Sequence, residues 1–521
     1  MAERILRGLV AVPGIAVGPT FWAEAAAPAT TGSALGLDDA VDRARAELEG
    51  LIADAEASAA DILTFQLALL EDEELLAPAR AALRDGHEAP AALVAAFAPL
   101  VADYRSSDDP TFAARAADLE DLRDRLVRAA TGSGADTVTP PEGAVLLARD
   151  LPPSRFVELA RHAPAGVALA AGGLASHVAI LARGRGVPLL IGLGNALQAV
   201  EAGVDAVLDG ELQALVVSPT DTRLAAARDR AGSTRARDAE AAHGPALTRS
   251  GRSIAVRINA DHPEALDALD PASCDGIGLV RTEFLFERGA PAEDEQLAAY
   301  RRILAWAAGR PVTFRTLDAG GDKPVPGVTL AGERNPFLGL RGLRLCLARP
   351  ELFRIQLRAL ARAAASGPCE VMLPMVTRPE EVEAARAHLE AVVAELAREG
   401  LPHRRPRLGI MVEVPSAALR PQDFPAEFYS IGSNDLVQYV TAVARDDPHV
   451  AALADPRDPA VLELIGRVVA TGERLGRPVS LCGDMASDPQ LVPALLDLGL
   501  VSLSVAPASL GAVKTAIRGH D

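Results

Sequence analysis

The sequence predicts a multidomain α/β protein: a small α/β domain interrupted by a helical bundle, then a C-terminal (β/α)8 barrel. Three observations carry that expectation. A chain of 521 residues has length for roughly three to four domains. From about Gly36 to Ala130 the sequence is rich in Ala, Leu, Glu and Arg at helical spacing, between flanks that read as short strands. From Ile254 onward, short strand, loop and helix alternate in the rhythm of a barrel.

Residues 1–22 read as strand-forming, with Pro13-Gly14 as a turn signal. The helical stretch shows apolar positions Val41, Ala44, Leu48, Leu51 and Ile52, and breaks at Asp85-Gly86-His87, Ala89-Pro90 and Ser106–Pro110, so about four helices are expected. Short apolar runs return at Ala144–Ala148, Val167–Ala170, Leu189–Ile191, Asp205–Leu208 and Leu215–Val217. The lone Gly192-Leu193-Gly194 reads as a turn, because no dinucleotide context surrounds it. Thr220–His243 has no large apolar residue after Leu224 and reads as an exposed linker helix ending at Gly244-Pro245. The barrel strands are expected at Ile254–Ile258, Gly276–Val280, Val312–Thr316, Glu370–Leu373, Leu408–Val412, Phe428–Ile431, Val479–Leu481 and Val501–Val505. The expected boundaries are 1–24 with 140–219 for the α/β domain, 25–139 for the bundle, 220–245 for the linker and 246–521 for the barrel.

A net charge of −18 argues against general nucleic-acid binding and suits basic partners. The cysteines Cys274, Cys346, Cys369 and Cys482 are far apart, without CxxC spacing, so a reducing compartment is expected. No signal-peptide pattern or bilayer-length apolar run is present, and the chain reads as cytoplasmic with no membrane insertion. Of 52 Lys plus Arg, only Lys323 and Lys514 are lysines. Lys514, near the C-terminus, reads as a surface residue. Lys323, in Asp318-Ala319-Gly320-Gly321-Asp322-Lys323, can supply a compact charge at a developing anion.

Two places carry chemistry. In Gly172-Gly173-Leu174-Ala175-Ser176-His177, two glycines follow a strand and a helix begins, which puts His177 in a first helical turn. Free N–H groups and the helix dipole favour an anion there and a neutral imidazole, as a phosphoryl acceptor needs. A capping or packing histidine is the alternative. The second place is the ring of strand exits in the barrel. It holds Asn259, Arg281-Thr282-Glu283, Arg315 with Asp318, Pro374-Met375, Glu413, Asn434-Asp435 and Cys482. Arg281, Arg315, Arg341 and Arg445 offer forks for carboxylate and phosphate oxygens. Glu413 and Asp435 can hold Mg²⁺ through two carboxylates plus substrate oxygens. The set suits a small phosphorylated carboxylate and phosphoryl transfer. Cys482 is either a buried apolar thiol or a proton donor.

These motifs together resemble Enzyme I of the phosphoenolpyruvate-dependent sugar phosphotransferase system. Gly173–Arg183 looks like its phosphohistidine motif, and Gly278–Phe286 looks like a barrel signature. Further matches are Arg315–Asp318 with Gly320–Lys323, Asn335–Arg341, Gly409–Pro415 and Gly432–Tyr439. The resemblance implies a swivelling phosphohistidine domain and Mg²⁺-dependent binding of phosphoenolpyruvate at the barrel mouth. Glu413 and Asp435 match metal ligands. Arg281, Arg315, Lys323, Asn434, Asp435 and Arg445 match substrate-binding positions, with Arg341 beside them. His177 then accepts the phosphoryl group, Cys482 protonates the enolate, and the helical insert docks the phosphocarrier protein HPr. The barrel domain is expected to form a homodimer.

Some positions depart from the family pattern. Ala175 and Leu174 stand where Thr and a polar residue are usual, Asp484 replaces a frequent Glu, and Gln66 and Thr64 occupy positions often held by His and an acidic residue in the carrier-facing stretch. Two other readings are a degenerate phosphoenolpyruvate-binding regulator and a relative of phosphoenolpyruvate synthase or pyruvate phosphate dikinase. The second needs a phosphate-cradling glycine loop before residue 140, and none is seen. No fused phosphocarrier or sensory domain is expected at either end.

Overall fold

A computed structural model describes the chain apart from residues 1–2, 24–34, 54–62, 64–65, 68, 71–72, 106–109, 133–138, 174–176, 268, 287–288, 321–324, 326, 330–332, 334, 444–449 and 451–452. The chain divides into two compact units, with the boundary at residues 235 and 236 inside a long helix.

The first unit is built on an eight-stranded mixed sheet. Its strands are β1 (Arg4–Arg7), β2 (Leu9–Val12), β3 (Ile15–Trp22), β4 (Val145–Ala148), β5 (Gly166–Leu169), β6 (Leu189–Ile191), β7 (Asp205–Asp209) and β8 (Ala214–Val217). Their order is β1-β8-β7-β3-β4-β5-β6-β2. Strands β3 to β6 run parallel, and the other neighbours are antiparallel. Strands β4, β5 and β6 are buried throughout because both faces are covered, which explains their unbroken apolar runs. Leu146 and Ala148 face one core with Phe156 and Leu181, and Val145 and Leu147 face the other with Leu208 and Leu215. The expected turn at Gly192-Leu193-Gly194 is present, with both glycines at positive φ.

The helical stretch forms helices Leu37–Ala53, Glu73–Arg84, Ala89–Arg105 and Pro110–Thr131 among the described residues. The break at Gly86 has φ +90°, a conformation that glycine adopts without strain. Gln66, one of the departures from the family pattern, is buried. It is only 1% exposed, and its Nε2 donates to Asp121 Oδ2 at 2.8 Å. An amide placed among apolar helix faces must find such a partner. Thr64 lies outside the described residues. The linker expectation corresponds to a helix at Asp221–Ala242, whose Leu224 and Ala227 pack on Val207 and Val216.

In the second unit, β10 (Ser253–Ala260), β11 (Ile277–Arg281), β12 (Val312–Arg315), β13 (Cys369–Leu373), β14 (Arg407–Val412), β15 (Tyr429–Gly432), β16 (Val479–Cys482) and β17 (Ser502–Val505) pair in parallel around a ring. The pairing of β17 with β10 closes the barrel. A two-residue strand, β9 (Ala246–Leu247), pairs antiparallel with the start of β10. All eight expected barrel strands are present. Inside, Leu279, Met372, Met411, Phe428 and Cys482 fill the space. Below them, Glu370 accepts hydrogen bonds from Arg257, Thr313 and Arg407.

Lys514 corrects the surface expectation. It is 2% exposed in the helix Leu510–Gly519, and its ammonium donates to the carbonyls of Ala242 (2.7 Å), Gly244 (3.0 Å) and Ser273 (2.7 Å). Burial lowers its pKa. An ammonium has three donors and all three are used, at the point where the linker helix ends. Lys514→Ala should leave three carbonyls without their donor and destabilise the barrel unit by about 3 kcal/mol. Lys514→Arg should not restore the loss, because a planar fork cannot reproduce three diverging bonds. Urea unfolding of both variants measures this.

Candidate active site at the barrel mouth

The functional side chains of the barrel sit where its strands end. Strand β11 delivers Arg281, Thr282 and Glu283, and β12 delivers Arg315 and then Asp318. Strand β14 delivers Glu413, β16 delivers Cys482, and β15 runs directly into the helix Ser433–Thr441, whose first turn carries Asn434 and Asp435.

Arg341 lies at the centre and is fully buried. Its Nε and Nη2 donate to the two oxygens of Asp318, each at 3.1 Å. Its Nη1 and Nη2 reach the two oxygens of Asp435 at 3.3 and 3.2 Å, and Nη1 also meets the Tyr439 hydroxyl at 3.3 Å. These contacts use all five N–H donors of the guanidinium. Burial works against the charge, and Asp318 and Asp435 more than offset it, so its pKa lies above that of an ordinary arginine. Arg341 was expected to offer a fork to substrate; here that fork is engaged by protein carboxylates on both sides.

Arg315 is less saturated. Nη1 pairs with Asp318 at 2.9 Å and Nη2 with Glu283 at 3.0 Å, while its buried Nε has no partner. Glu283 Oε1 also accepts the Asp318 N–H at 2.8 Å, which locks the β11 and β12 exits together. Arg281 pairs with Asp261 at 2.8 Å and remains about one-third exposed, so it is open to a ligand.

Glu413 is 1% exposed. Its Oε1 accepts the Met375 N–H at 2.6 Å, and its Oε2 is buried without a partner. Gly432 leaves room beside that oxygen, since a Cβ there would stand 2.8 Å from Oε2. Burial, then the charges of Asp435 and Asp318, raise the Glu413 pKa to about 8, against the opposing pull of Arg315 and Arg341. An orphaned carboxylate oxygen among mutually repelling carboxylates is what a divalent cation relieves, so the residues fit a metal. Among the described residues there is no group of three or more His, Cys, Asp or Glu able to hold a metal alone. Any metal here needs further oxygens from water or substrate.

Asn434 Oδ1 accepts the Asp484 N–H at 2.9 Å, so its NH₂ is the end left for other partners. Gly483 between Cys482 and Asp484 has φ +99°, and a Cβ there would lie 2.3 Å from Ser433 Oγ. Cys482 is 2% exposed and its thiol is pushed up to about 11, first by burial. It is therefore a thiol and not a thiolate near neutral pH.

The described structure brings together Arg281, Arg315, Arg341, Glu413, Asn434, Asp435 and Cys482. Lys323 and Arg445 lie outside the described residues. His177 opens the helix His177–Gly184 in the first unit, as its position after the paired glycines implied, but its side chain is not described. Asp318, Glu283 and Tyr439 were not singled out as binding residues, although each touches one. Tyr439 had a readable signal, because its i, i+4 spacing from Asp435 puts the two on one helix face.

Three family descriptions match the chain: the N-terminal part of PEP-utilising enzymes over residues 7–115, their mobile domain over 140–212, and their PEP-binding domain over 235–521. The sequence is 43% identical to a phosphoenolpyruvate-protein phosphotransferase of Haloferax volcanii, over 78% of this chain and 73% of that one. It is 35% identical to the phosphoenolpyruvate-protein phosphotransferase of Geobacillus stearothermophilus, over 98% of this chain and 92% of that one. A multiphosphoryl transfer protein of Xanthomonas campestris is 38% identical over the whole of this chain, which spans 64% of its length. The chain belongs to the phosphoenolpyruvate-protein phosphotransferase family of PEP-utilising enzymes. Among the described residues, no helix is long and apolar enough to cross a membrane.

Removing one charge from the central cluster should be costly. Asp318→Asn keeps the shape but leaves Arg315 and Arg341 short of a buried partner, and should lower unfolding stability by about 3 kcal/mol or more. Asp267→Asn, which breaks the exposed pair with Arg302, should cost under about 1 kcal/mol. Chemical denaturation of the two variants measures the contrast.

Proposed function

We propose that the chain transfers the phosphoryl group of phosphoenolpyruvate to His177 and then to the phosphocarrier protein HPr, releasing pyruvate as the first step of sugar uptake. The observation that carries this reading is the barrel mouth: arginines with open donors beside Glu413, whose second oxygen is buried and unpaired. Family membership supports it independently.

Phosphoenolpyruvate is a small trianion, and Arg281, Arg315, Lys323, Arg445 and the Asn434 amide serve as donors to its carboxylate and phosphate oxygens. Arg341 acts on the substrate through Asp435, which it holds. Glu413 and Asp435 would hold Mg²⁺, which would supply charge neutralisation for the phosphate and enolate oxygens. The His177 ring nitrogen attacks phosphorus in line. As the N–P bond forms, the bridging P–O bond breaks and its electrons pass to the enolate. Cys482, kept protonated by its burial, gives its proton to the terminal carbon, and pyruvate leaves. The phosphohistidine domain then swings away, and the helical insert docks HPr, which takes the phosphoryl group. The barrel unit forms the homodimer, and the protein works in the cytoplasm, in keeping with four cysteines that remain free thiols.

Labelled phosphoenolpyruvate with Mg²⁺ should give acid-labile, base-stable label on the native chain and none on His177→Ala. Absence of label on the native chain, with phosphoenolpyruvate still bound, would point to a binding protein. The Glu413 pKa sets a second expectation. Below about pH 8 the carboxyl carries a proton that an incoming cation must displace. Mn²⁺ affinity should therefore fall by about tenfold per pH unit below that point and level off above it. Paramagnetic titration of free Mn²⁺ reads the slope, which Glu413→Gln should abolish.

A further inference from the structure

Ser430 lies in β15 beneath the mouth and is 1% exposed, on a strand that pairs with β16. Its hydroxyl donates to Cys482 Sγ at 3.8 Å, and the thiol in turn donates to the Ile431 carbonyl at 3.5 Å. Two further bonds fix the same corner: Ser433 Oγ donates to the Cys482 carbonyl at 2.8 Å, and the Asp484 N–H donates to Asn434 Oδ1 at 2.9 Å. Cys482 belongs to a buried apolar cluster of the barrel interior with Leu279, Met372, Met411 and Phe428. A hydroxyl beside that apolar cluster is costly to bury unless it is bonded, and the bond it makes is to the sulfur.

We infer that Ser430 is a positioning residue for the Cys482 thiol: it holds the sulfur at the mouth and stabilises the thiolate left after proton transfer. The inference rests on Cys482 as the acid of the proposed reaction. In that step the S–H bond breaks and a C–H bond forms at the terminal carbon of the enolate. The electron pair of the enolate double bond makes the new C–H bond, and the carbonyl of pyruvate is restored. The sulfur keeps the S–H electron pair, and the Ser430 O–H is already directed at it. The charged groups around the sulfur are Glu413, which disfavours a thiolate, and Arg315 and Arg281, which favour one; burial is the largest influence and the Ser430 bond opposes it. The arginines also serve substrate oxygens in the proposed mechanism, so Ser430 is the group available to the sulfur alone.

The test uses the full chain with Mg²⁺ and pyruvate in D₂O. The native chain, Ser430→Ala, Ser430→Thr and Cys482→Ala are compared for exchange of the pyruvate methyl hydrogens. Alkylation of Cys482 by iodoacetamide is followed on its own peptide by mass spectrometry. Ser430→Ala should slow exchange at saturating pyruvate roughly tenfold, with the pyruvate KM unchanged, and should slow alkylation of Cys482 by a similar factor. Ser430→Thr, which keeps the hydroxyl, should recover both. Alkylation in Ser430→Ala that is equal to or faster than native overturns the inference. Equal exchange in the native chain and Cys482→Ala would remove Cys482 as the acid, while the alkylation comparison would still decide whether Ser430 controls the sulfur.

Discussion

A single buried guanidinium organises the barrel mouth. Arg341 stands between Asp318 and Asp435 and spends all five donors on those carboxylates and Tyr439. Asp318 follows β12 and Asp435 follows β15, so the two exits are tied across the mouth through one side chain. Such a cluster is costly to desolvate and stable only when complete. Its return is rigidity: Asp435 and Arg315 are held in place before any ligand arrives, which suits phosphoryl transfer, where catalysis is mostly positioning and charge neutralisation.

The same cluster explains why the mouth is electrostatically unfinished. In the ion-paired cluster Glu283, Asp318 and Asp435 outnumber Arg315 and Arg341, and Glu413 adds a further carboxyl that feels their charges without pairing with them. Burial first, and then the charges of Asp435 and Asp318, raise the pKa of the Glu413 carboxyl to about 8, and its Oε2 lacks a partner. Positive charge is needed there, and the orphaned oxygen marks where it would act. Two strands along the rim, Cys482 is buried against Leu279, Met372, Met411 and Phe428, and burial is the largest influence that keeps its thiol protonated. Burial thus acts in the same direction on two groups of one rim, holding a proton on the Glu413 carboxyl and on the Cys482 thiol.

Much of this was legible in the sequence. The barrel strands could be read because parallel strands covered on both faces become short, continuous apolar runs, and the exits then identified Arg281, Arg315, Glu413, Asn434, Asp435 and Cys482 as neighbours. Pairing was not legible. Arg341 looked like an open fork because nothing local reveals that its partners stand 23 and 94 residues away. Lys514 looked exposed because position near a terminus was the only guide, whereas the three carbonyls that hold it come from residues about 240 to 272 positions earlier. Nor did the sequence reveal that Gln66 is buried, its partner Asp121 lying 55 residues away on another helix. Residue type and spacing located the site; which charges cancel was set by the fold.

The most direct measurement is a crystal structure of the chain with Mg²⁺ and phosphoenolpyruvate. The metal should lie on Glu413 and Asp435, substrate oxygens on Arg281 and Arg315, and Arg341 still between Asp318 and Asp435. A metal bound elsewhere, or Arg341 released from its carboxylates to grip the substrate, would contradict this arrangement.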